Sequence, residues 1–413
     1  MNETCYKRDT CRLCGGTALE LVLPLSPTPL GDAFVPKEQL RKAQAAYPLE
    51  LYLCRDCGLP QLLHVVRPEL IYIDYIYQTS VSLGLPEHFQ RYVDETLDFL
   101  NPPAGTFVVE IGSNDGTLLE AFQDRGMRVL GIDPAHEIAQ KATERGVETL
   151  PVFFNKKVAR AIRNERGLAG IIAANNVMAN IDDLDGFVAG IHDLLMPDGI
   201  YVFETGYMAD LVPNMVFDFI YHEHLSYFLV KPLQFFFHCH GMKIIDAKRV
   251  ATKGGSLRCM VQLEGGPRRV LPTVAEVTDY EESTGIGRPE TLKDFANKID
   301  AVKKELLSVL HDLKQRGKVI AGYGASHSVT TMLHHFDLGD KVEFVLDDNP
   351  IKHHTFSPGH HIPVLPPQAL YERKPDYVLI LAWRYAQPIM NKHQTFLEQG
   401  GHFIVPLPKV EVI

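Results

Sequence analysis

Phe107-Val-Val-Glu110-Ile-Gly112-Ser-Asn114-Asp115-Gly116, followed by TLLEAF to Phe122, encodes a strand, a turn and a helix in succession. The first five residues make a buried-strand run interrupted only by Glu110, the glycines supply the turn, and TLLEAF continues as a helix. That order aims the backbone N–H groups of a helix N-terminus at a ligand. A second strand, Val129-Leu-Gly-Ile-Asp133, ends on a carboxylate just before Pro134. An acidic side chain about twenty residues past the glycines is placed to grip ribose hydroxyls. Alone, these features suit a dinucleotide. The turn, however, reads ExGSNDG rather than GxGxxG, so no close-packed glycine trio cradles a pyrophosphate.

Further along, GIIAANNVMANI (170–181) reads as a fourth strand with its loop, and DLLMPDGIYVFET (193–205) as a helix end, a Pro-Asp-Gly turn and a fifth strand. ExGxxxG with the downstream Asp133, followed by these two stretches in order, resembles the S-adenosylmethionine (SAM)-dependent methyltransferases with a Rossmann-like fold. By that resemblance Gly112, Asn114 and Asp115 lie around the methionyl part of SAM and Asp133 holds its ribose. Asn176 and Met178 flank the adenine or sulfonium side, and Glu110 and Pro134 belong to the same cofactor-binding set. A plain loop role for Asn176 and Met178 stays open, since loops carry many polar residues without a task.

Working outward, FDFIYHEHLSYF (217–228) places Tyr221, His222, Glu223 and His224 inside an apolar and aromatic run. Unpaired polar groups are costly to bury. They are either satisfied by backbone hydrogen bonds or used as an acid/base site, in which imidazole titrates near neutrality beside an orienting carboxylate. The two histidines are not four apart with the glutamate between them, so this is not the zincin pattern. Upstream, IYIDYIYQTSVS (71–82) is tyrosine-rich; each tyrosine alone reads as core filler, and Tyr75 and Tyr77 are candidates for a polar pocket beside Gln78, Thr79 and Ser80.

Cys11-Arg-Leu-Cys14-Gly and Cys54-Arg-Asp-Cys57-Gly are two knuckles that turn four thiolates toward one point, a tetrahedral zinc site. With no open coordination position the zinc is structural and pins a domain with little core of its own. A redox CxxC or a disulfide pair is the competing reading; Cys5 has no partner at knuckle spacing. Cys239 and Cys259, in apolar surroundings, read as buried free thiols. A chain of 413 residues with 46% hydrophobic and 22% charged residues is ordinary for a globular protein of two or three domains. The net charge of −10 argues against an electrostatic nucleic-acid footprint. Met1 to Thr10 is polar and no later run is long enough to span a bilayer, so a cytoplasmic protein without membrane attachment is expected.

The last third, with KVIAGYGASHSVTTMLHHF, VEFVLDDNP, DYVLILAW and HFIVPLP, reads as a second nucleotide-fold unit, in which Asp347 or Asp348 ends the second strand. The expected architecture is therefore α/β: a small zinc-binding domain (1–70), a central Rossmann-like SAM-binding methyltransferase domain (71–285) and a C-terminal Rossmann-like α/β domain (286–413).

ETGYMADLV, the YHEHLSYF string and Lys253-Gly-Gly-Ser-Leu-Arg258, together with the cysteine knuckles, resemble the sugar C-methyltransferases of the mycarose-pathway type across essentially the whole chain. The resemblance implies methylation at C3 of a thymidine- or guanosine-diphosphate 4-keto-6-deoxy sugar, with the C-terminal domain helping to enclose that substrate and a monomer sufficing. His224 would be the base and Glu223 would fix its tautomer or position sugar hydroxyls. Tyr221, with Tyr75 or Tyr77, would hydrogen-bond the enolate oxygen, and His222 would support the loop. Two departures bear on the nucleotide-sugar: Ser328-Val329 stand where relatives commonly have Lys-Gly, and Lys253 where they often have His. Methylation of nitrogen or oxygen, and a non-catalytic nucleotide-sugar-binding protein, are the alternatives.

Overall fold

The strand expected at 107–111 is an inner strand of a seven-stranded sheet, beside its central strand and buried along its whole length. The computed structural model describes residues 4–73, 75, 78–81 and 84–413, so Tyr77 lies outside the described residues. In chain order the strands are β1 (Phe107–Ile111), β2 (Arg128–Ile132), β3 (Thr149–Leu150), β4 (Ala169–Asn175), β5 (Leu195–Gly206), β6 (Met242–Val250) and β7 (Ser256–Leu263). Across the sheet they run β6-β7-β5-β4-β1-β2-β3. The first five are parallel, and β7 returns antiparallel against β5 and β6. FVVEI and AGIIAAN can be continuous apolar runs because both sheet faces are covered. Val108, Ile171 and Val202 pack on the side of helix Leu85–Leu100, whereas Val109, Ile172 and Phe203 face the helices Lys156–Arg166 and Leu184–Leu194. The chain reverses its direction of strand addition between β1 and β4, and at such a switch point the loops diverge and leave a crevice.

The N-terminal cysteines sit on a three-stranded antiparallel sheet of Leu19–Thr28, Tyr47–Cys54 and Pro60–Leu62. The second nucleotide-fold unit is a six-stranded sheet of Ile320–Tyr323 (β8), Val345–Leu346 (β9), Val364–Leu365 (β10), Tyr377–Ile380 (β11), His402–Val405 (β12) and Glu411–Val412 (β13), in the order β10-β9-β8-β11-β12-β13. Helices Pro289–Gln315 and His327–His335 of the last third both pack on strand Leu19–Thr28. Val35 also bridges to Phe356, so the N-terminal sheet is clasped by the C-terminal unit. Cys259 is buried as expected, but Cys239 is exposed: it closes the amphipathic helix Val230–Cys239, whose apolar face is taken by Leu233, Phe236 and Phe237. No helix among the described residues is long and apolar enough to cross a membrane.

Candidate active site

The segment 217–228 is where the three-stranded N-terminal sheet, the seven-stranded sheet and the C-terminal unit meet. Leu62 N–H donates to Leu225 O (2.9 Å) and Tyr227 N–H to Pro60 O (2.9 Å), which ties it to the zinc-domain sheet. Leu225 N–H donates to Ala179 O in the loop after β4 (2.7 Å). From the C-terminal unit, Thr331 Oγ1 donates to Ile220 O (2.9 Å), and Arg384 Nη1 grips both oxygens of the buried Asp218 (3.0 and 2.9 Å). A loop this buried survives because its backbone groups find partners on every side.

The four proton-handling side chains have separate assignments. His224 Nδ1–H donates to the carbonyl of Phe219 (3.1 Å), which leaves Nε2 as the acceptor; the Tyr221 hydroxyl donates to it (3.0 Å). Burial, then the charges of His327 and Lys253, push the ring down to about 3, so it is neutral at physiological pH. Glu223 does not touch this ring: its Oε2 accepts from the Tyr75 hydroxyl (3.0 Å) and its backbone carbonyl from Tyr72 (3.3 Å). A backbone carbonyl therefore fixes the tautomer where Glu223 was expected to. Burial pushes the Glu223 carboxyl up, with His327 as the first opposing charge. His222 points away, its Nε2–H donating to Tyr47 O (3.2 Å), and burial pushes it down to about 4.

The crevice at the switch point is a cavity of about 420 Å³ whose walls include Glu110, Gly112, Asn114, Asp133, Pro134 and Asn176 from the sequence-derived cofactor set, with Tyr75, Tyr221, Glu223 and His224 at its far end. Gly112 sits at φ +71°, and a Cβ there would lie 2.2 Å from Val177 Cγ2, so glycine is required where β1 turns under the loop after β4. Asp133 accepts the N–H groups of Asn114 (2.8 Å) and Ala135 (2.9 Å), which fixes its carboxylate at the crevice. Asn114 and Asp115 hold the neighbouring segment: their side chains accept the N–H of Thr79 and of Ser80 (2.9 Å each). Met178 is buried and its sulfur takes the hydroxyl of Tyr201 (3.7 Å).

Glu110 tests the fit of a cofactor. Its Oε2 is buried without a partner among the described residues, and burial, then Asp115 and Asp133, push its carboxyl well above the usual range. A ligand carrying positive charge meets both deficits, and SAM carries an ammonium and a sulfonium. For Asp133→Ala we expect a loss of about 2 kcal/mol in cofactor binding, roughly 30-fold in Kd, from its charge-assisted contacts. Titration calorimetry with S-adenosylhomocysteine checks it; unchanged affinity removes Asp133 from the ribose role.

A second cavity of about 1140 Å³ opens between the methyltransferase sheet and the C-terminal unit. Leu85, Tyr221, Lys253 and His327 line both cavities, so the two meet beside His224. Sequence reasoning did not find His327, nor its partner Asp32 (Nδ1 to Oδ2, 3.7 Å), nor Tyr72. Only the departure from the expected Lys-Gly pattern pointed near His327. Ser328 and Val329 are themselves buried in the first turn of their helix.

The four cysteine sulfurs lie within 4.8 Å of one another, with Cys11–Cys57 and Cys14–Cys54 both at 3.6 Å. Tetrahedral zinc with bonds of about 2.3 Å places its sulfurs about 3.8 Å apart, so the donor set fits a structural zinc. Gln61 Nε2 donates to Cys11 Sγ (3.1 Å), and Cys5 is outside the cluster.

Comparison with known proteins follows the same three-part order. Residues 11–72 match the family model described as "Putative zinc binding domain", residues 86–246 "Methyltransferase domain" and residues 251–408 "C-methyltransferase C-terminal domain". "C-methyltransferase NovU" of Streptomyces niveus is 35% identical over 406 residues, covering 98% of this chain and 97% of that protein. "Ubiquinone biosynthesis O-methyltransferase" of Rhodopseudomonas palustris (strain BisA53) is 29% identical over 116 residues, 28% of this chain and 46% of that one. The solved structure of magnesium protoporphyrin IX methyltransferase from Synechocystis PCC 6803 aligns at a TM-score of 0.35 and 13% identity, over 46% of this chain and 90% of that chain.

Proposed function

The chain belongs to the C-methyltransferase family and is a SAM-dependent enzyme, and from that premise we propose that its acceptor is C3 of a nucleoside-diphosphate 4-keto-6-deoxy sugar. The observation that carries this reading is the meeting of two cavities at a neutral histidine. One cavity holds the cofactor motifs; the other is lined by Arg91, Lys248, Arg249, Lys253, Arg258 and Arg384, four of which are paired with carboxylates, Lys248 with Asp246, Arg249 with Asp210, Arg258 with Glu204 and Arg384 with Asp218. A cationic wall of that kind suits a diphosphate. The C-terminal unit closes the far side of this cavity through Trp383, Arg384 and Tyr385.

SAM supplies an electrophilic methyl group when bound. Carbon becomes its acceptor only as a carbanion, and a 4-ketone acidifies the C3 proton enough for an imidazole to take it. His224 is positioned for that step, with Nδ1 fixed on Phe219 O and the lone pair on Nε2; burial, which pushes the ring down to about 3, works against it as a base, and the negative charge developing on the sugar beside it offsets that cost. The Tyr221 hydroxyl occupies Nε2 in the present arrangement, so sugar entry displaces it and gives it the substrate to bond instead. Tyr75 stays on Glu223, which then holds the sugar hydroxyls.

The purified protein is assayed by mass spectrometry with SAM and a panel of thymidine- and guanosine-diphosphate 4-keto-6-deoxyhexoses. Methylated sugar together with S-adenosylhomocysteine, from one nucleotide series, is the expected result. Methylation of sugars reduced at C4 would sink the ketone requirement.

A further inference from the structure

Three large apolar side chains that stand exposed on this protein belong to the wall of one cavity. Tyr6 (43% exposed), Val152 (38%) and Phe153 (36%) all line the cofactor cavity. Leu85, Phe89, Ile111 and Leu118 of the same wall are buried, so the exposed three mark its mouth. Exposed apolar side chains gathered at the rim of a pocket call for a ligand group with an apolar surface.

Sheet order says which part of SAM that group is. β3 lies beside β2 at the edge of the sheet, and Val152 and Phe153 directly follow it. Asp133, just past the end of β2, is the ribose residue of the cofactor set. A base joined to a ribose held there falls at the segment after β3. Adenine has apolar faces and a polar edge, and a tyrosine ring offers it a flat partner.

Tyr6 comes from a different part of the chain and is held before any ligand enters. Its strand, Cys5–Lys7, pairs antiparallel with His64–Val66. Its hydroxyl donates to Asp182 Oδ2 (2.5 Å) in the loop after β4. Arg8 Nη1 donates to the backbone carbonyl of Asp182 (3.0 Å) and to its Oδ1 (3.1 Å), and Arg12 Nε donates to Oδ1 (2.9 Å). The loop itself is firm: Asp183 caps helix Leu184–Leu194 by accepting Gly186 N–H (2.9 Å). Three side chains of the N-terminal domain thus converge on one residue of the cofactor wall. A ring already fixed in place binds at less entropic cost than one that must be ordered.

We propose that Tyr6 is a cofactor-binding residue supplied by the N-terminal domain: its ring stacks on the adenine of SAM, Val152 and Phe153 complete the pocket, and Asp182 fixes the ring. The inference rests on the identity of the cofactor and is independent of the sugar.

The test is calorimetric binding of S-adenosylhomocysteine to the zinc-loaded protein, with the melting temperature measured alongside. Tyr6→Ala is expected to weaken binding about 10-fold, the lower end of what a base–aromatic stack loses on truncation to alanine. Tyr6→Gln keeps a donor for Asp182 without a ring; it should lose as much, and it serves if the alanine variant is unstable. Tyr6→Phe keeps the ring and gives up only the bond to Asp182, so it should stay within about threefold of wild type, the scale of one neutral hydrogen bond. A merely structural role predicts the reverse order, with Tyr6→Gln close to wild type and Tyr6→Phe as impaired as Tyr6→Ala, and that order overturns the proposal. Wild-type affinity in both Tyr6→Ala and Tyr6→Gln overturns it as well.

Discussion

His224→Asn is expected to lower kcat about 1000-fold, the middle of the range for a lost general base and about 4 kcal/mol of barrier. The choice of Asn matters: its amide can still donate to Phe219 O in place of Nδ1–H, so the loop keeps its anchor while the basic nitrogen disappears. The cofactor half of the cavity is built by Gly112, Asn114 and Asp133 at the carboxyl ends of β1 and β2, none of which bonds His224, so binding of S-adenosylhomocysteine should survive. Turnover by mass spectrometry and binding by calorimetry measure the two separately. Glu223→Gln is a useful contrast, because Glu223 contacts Tyr75 and not the imidazole; it should leave the tautomer of His224 intact. If His224→Asn turns over at the wild-type rate, the base lies elsewhere. If it loses cofactor as well as turnover, the histidine is part of the architecture and not of the chemistry.

Removing the zinc should have the largest effect on stability. Structural zinc contributes on the order of 10 kcal/mol to small domains that lack a core; here Leu23, Leu25, Leu49, Leu51 and Leu53 of the N-terminal sheet are buried in the main core, so the loss should be smaller than that and concentrated at the cysteine knuckles. The consequence reaches the active site through three connections. Arg12, between the first two cysteines, donates to Asp182 (2.9 Å) at the mouth of the cofactor cavity. Leu62 and Pro60 hold Leu225 and Tyr227, next to the YHEH residues. Asp32 reaches His327. Metal analysis should give one zinc per chain, and Cys54→Ser or strong chelation should lower the melting temperature and abolish methyl transfer together. Cofactor affinity should fall much less, since β1 to β5 do not depend on the metal. Full activity in zinc-free protein would show that the N-terminal sheet holds without it and does not organise the loop.

Sequence and structure differ most within YHEH itself. Tyr221, Glu223 and His224 were legible as a group because buried polar residues in an aromatic run need a task, and all three line the cofactor cavity. Their pairing was not legible. The expectation that Glu223 orients His224 came from chain adjacency, but the turn at 221–224, closed by His224 N–H on Tyr221 O (3.0 Å), points these neighbours apart, and the tautomer is set by a carbonyl five residues back. Met178 carried the family position but not the orientation: the loop after β4 turns its side chain toward Tyr201 in the core.

By itself the sequence determined the parts whose geometry is local. A glycine at positive φ, a carboxylate at a strand end and two CxxC knuckles each fix their own turn, because the steric and bonding constraints act within a few residues. Runs of buried apolar residues determined the parallel strands of the two large sheets in the same way. Only the tertiary structure decided which distant residues gather where the two cavities meet. Tyr221, Lys253 and His327 line both cavities, with His224 in the wall of one, and they come together because the N-terminal sheet, the methyltransferase sheet and the C-terminal unit pack on one buried loop. That encounter depends on long-range burial and on backbone partners contributed by each domain, which no local pattern of residue types encodes.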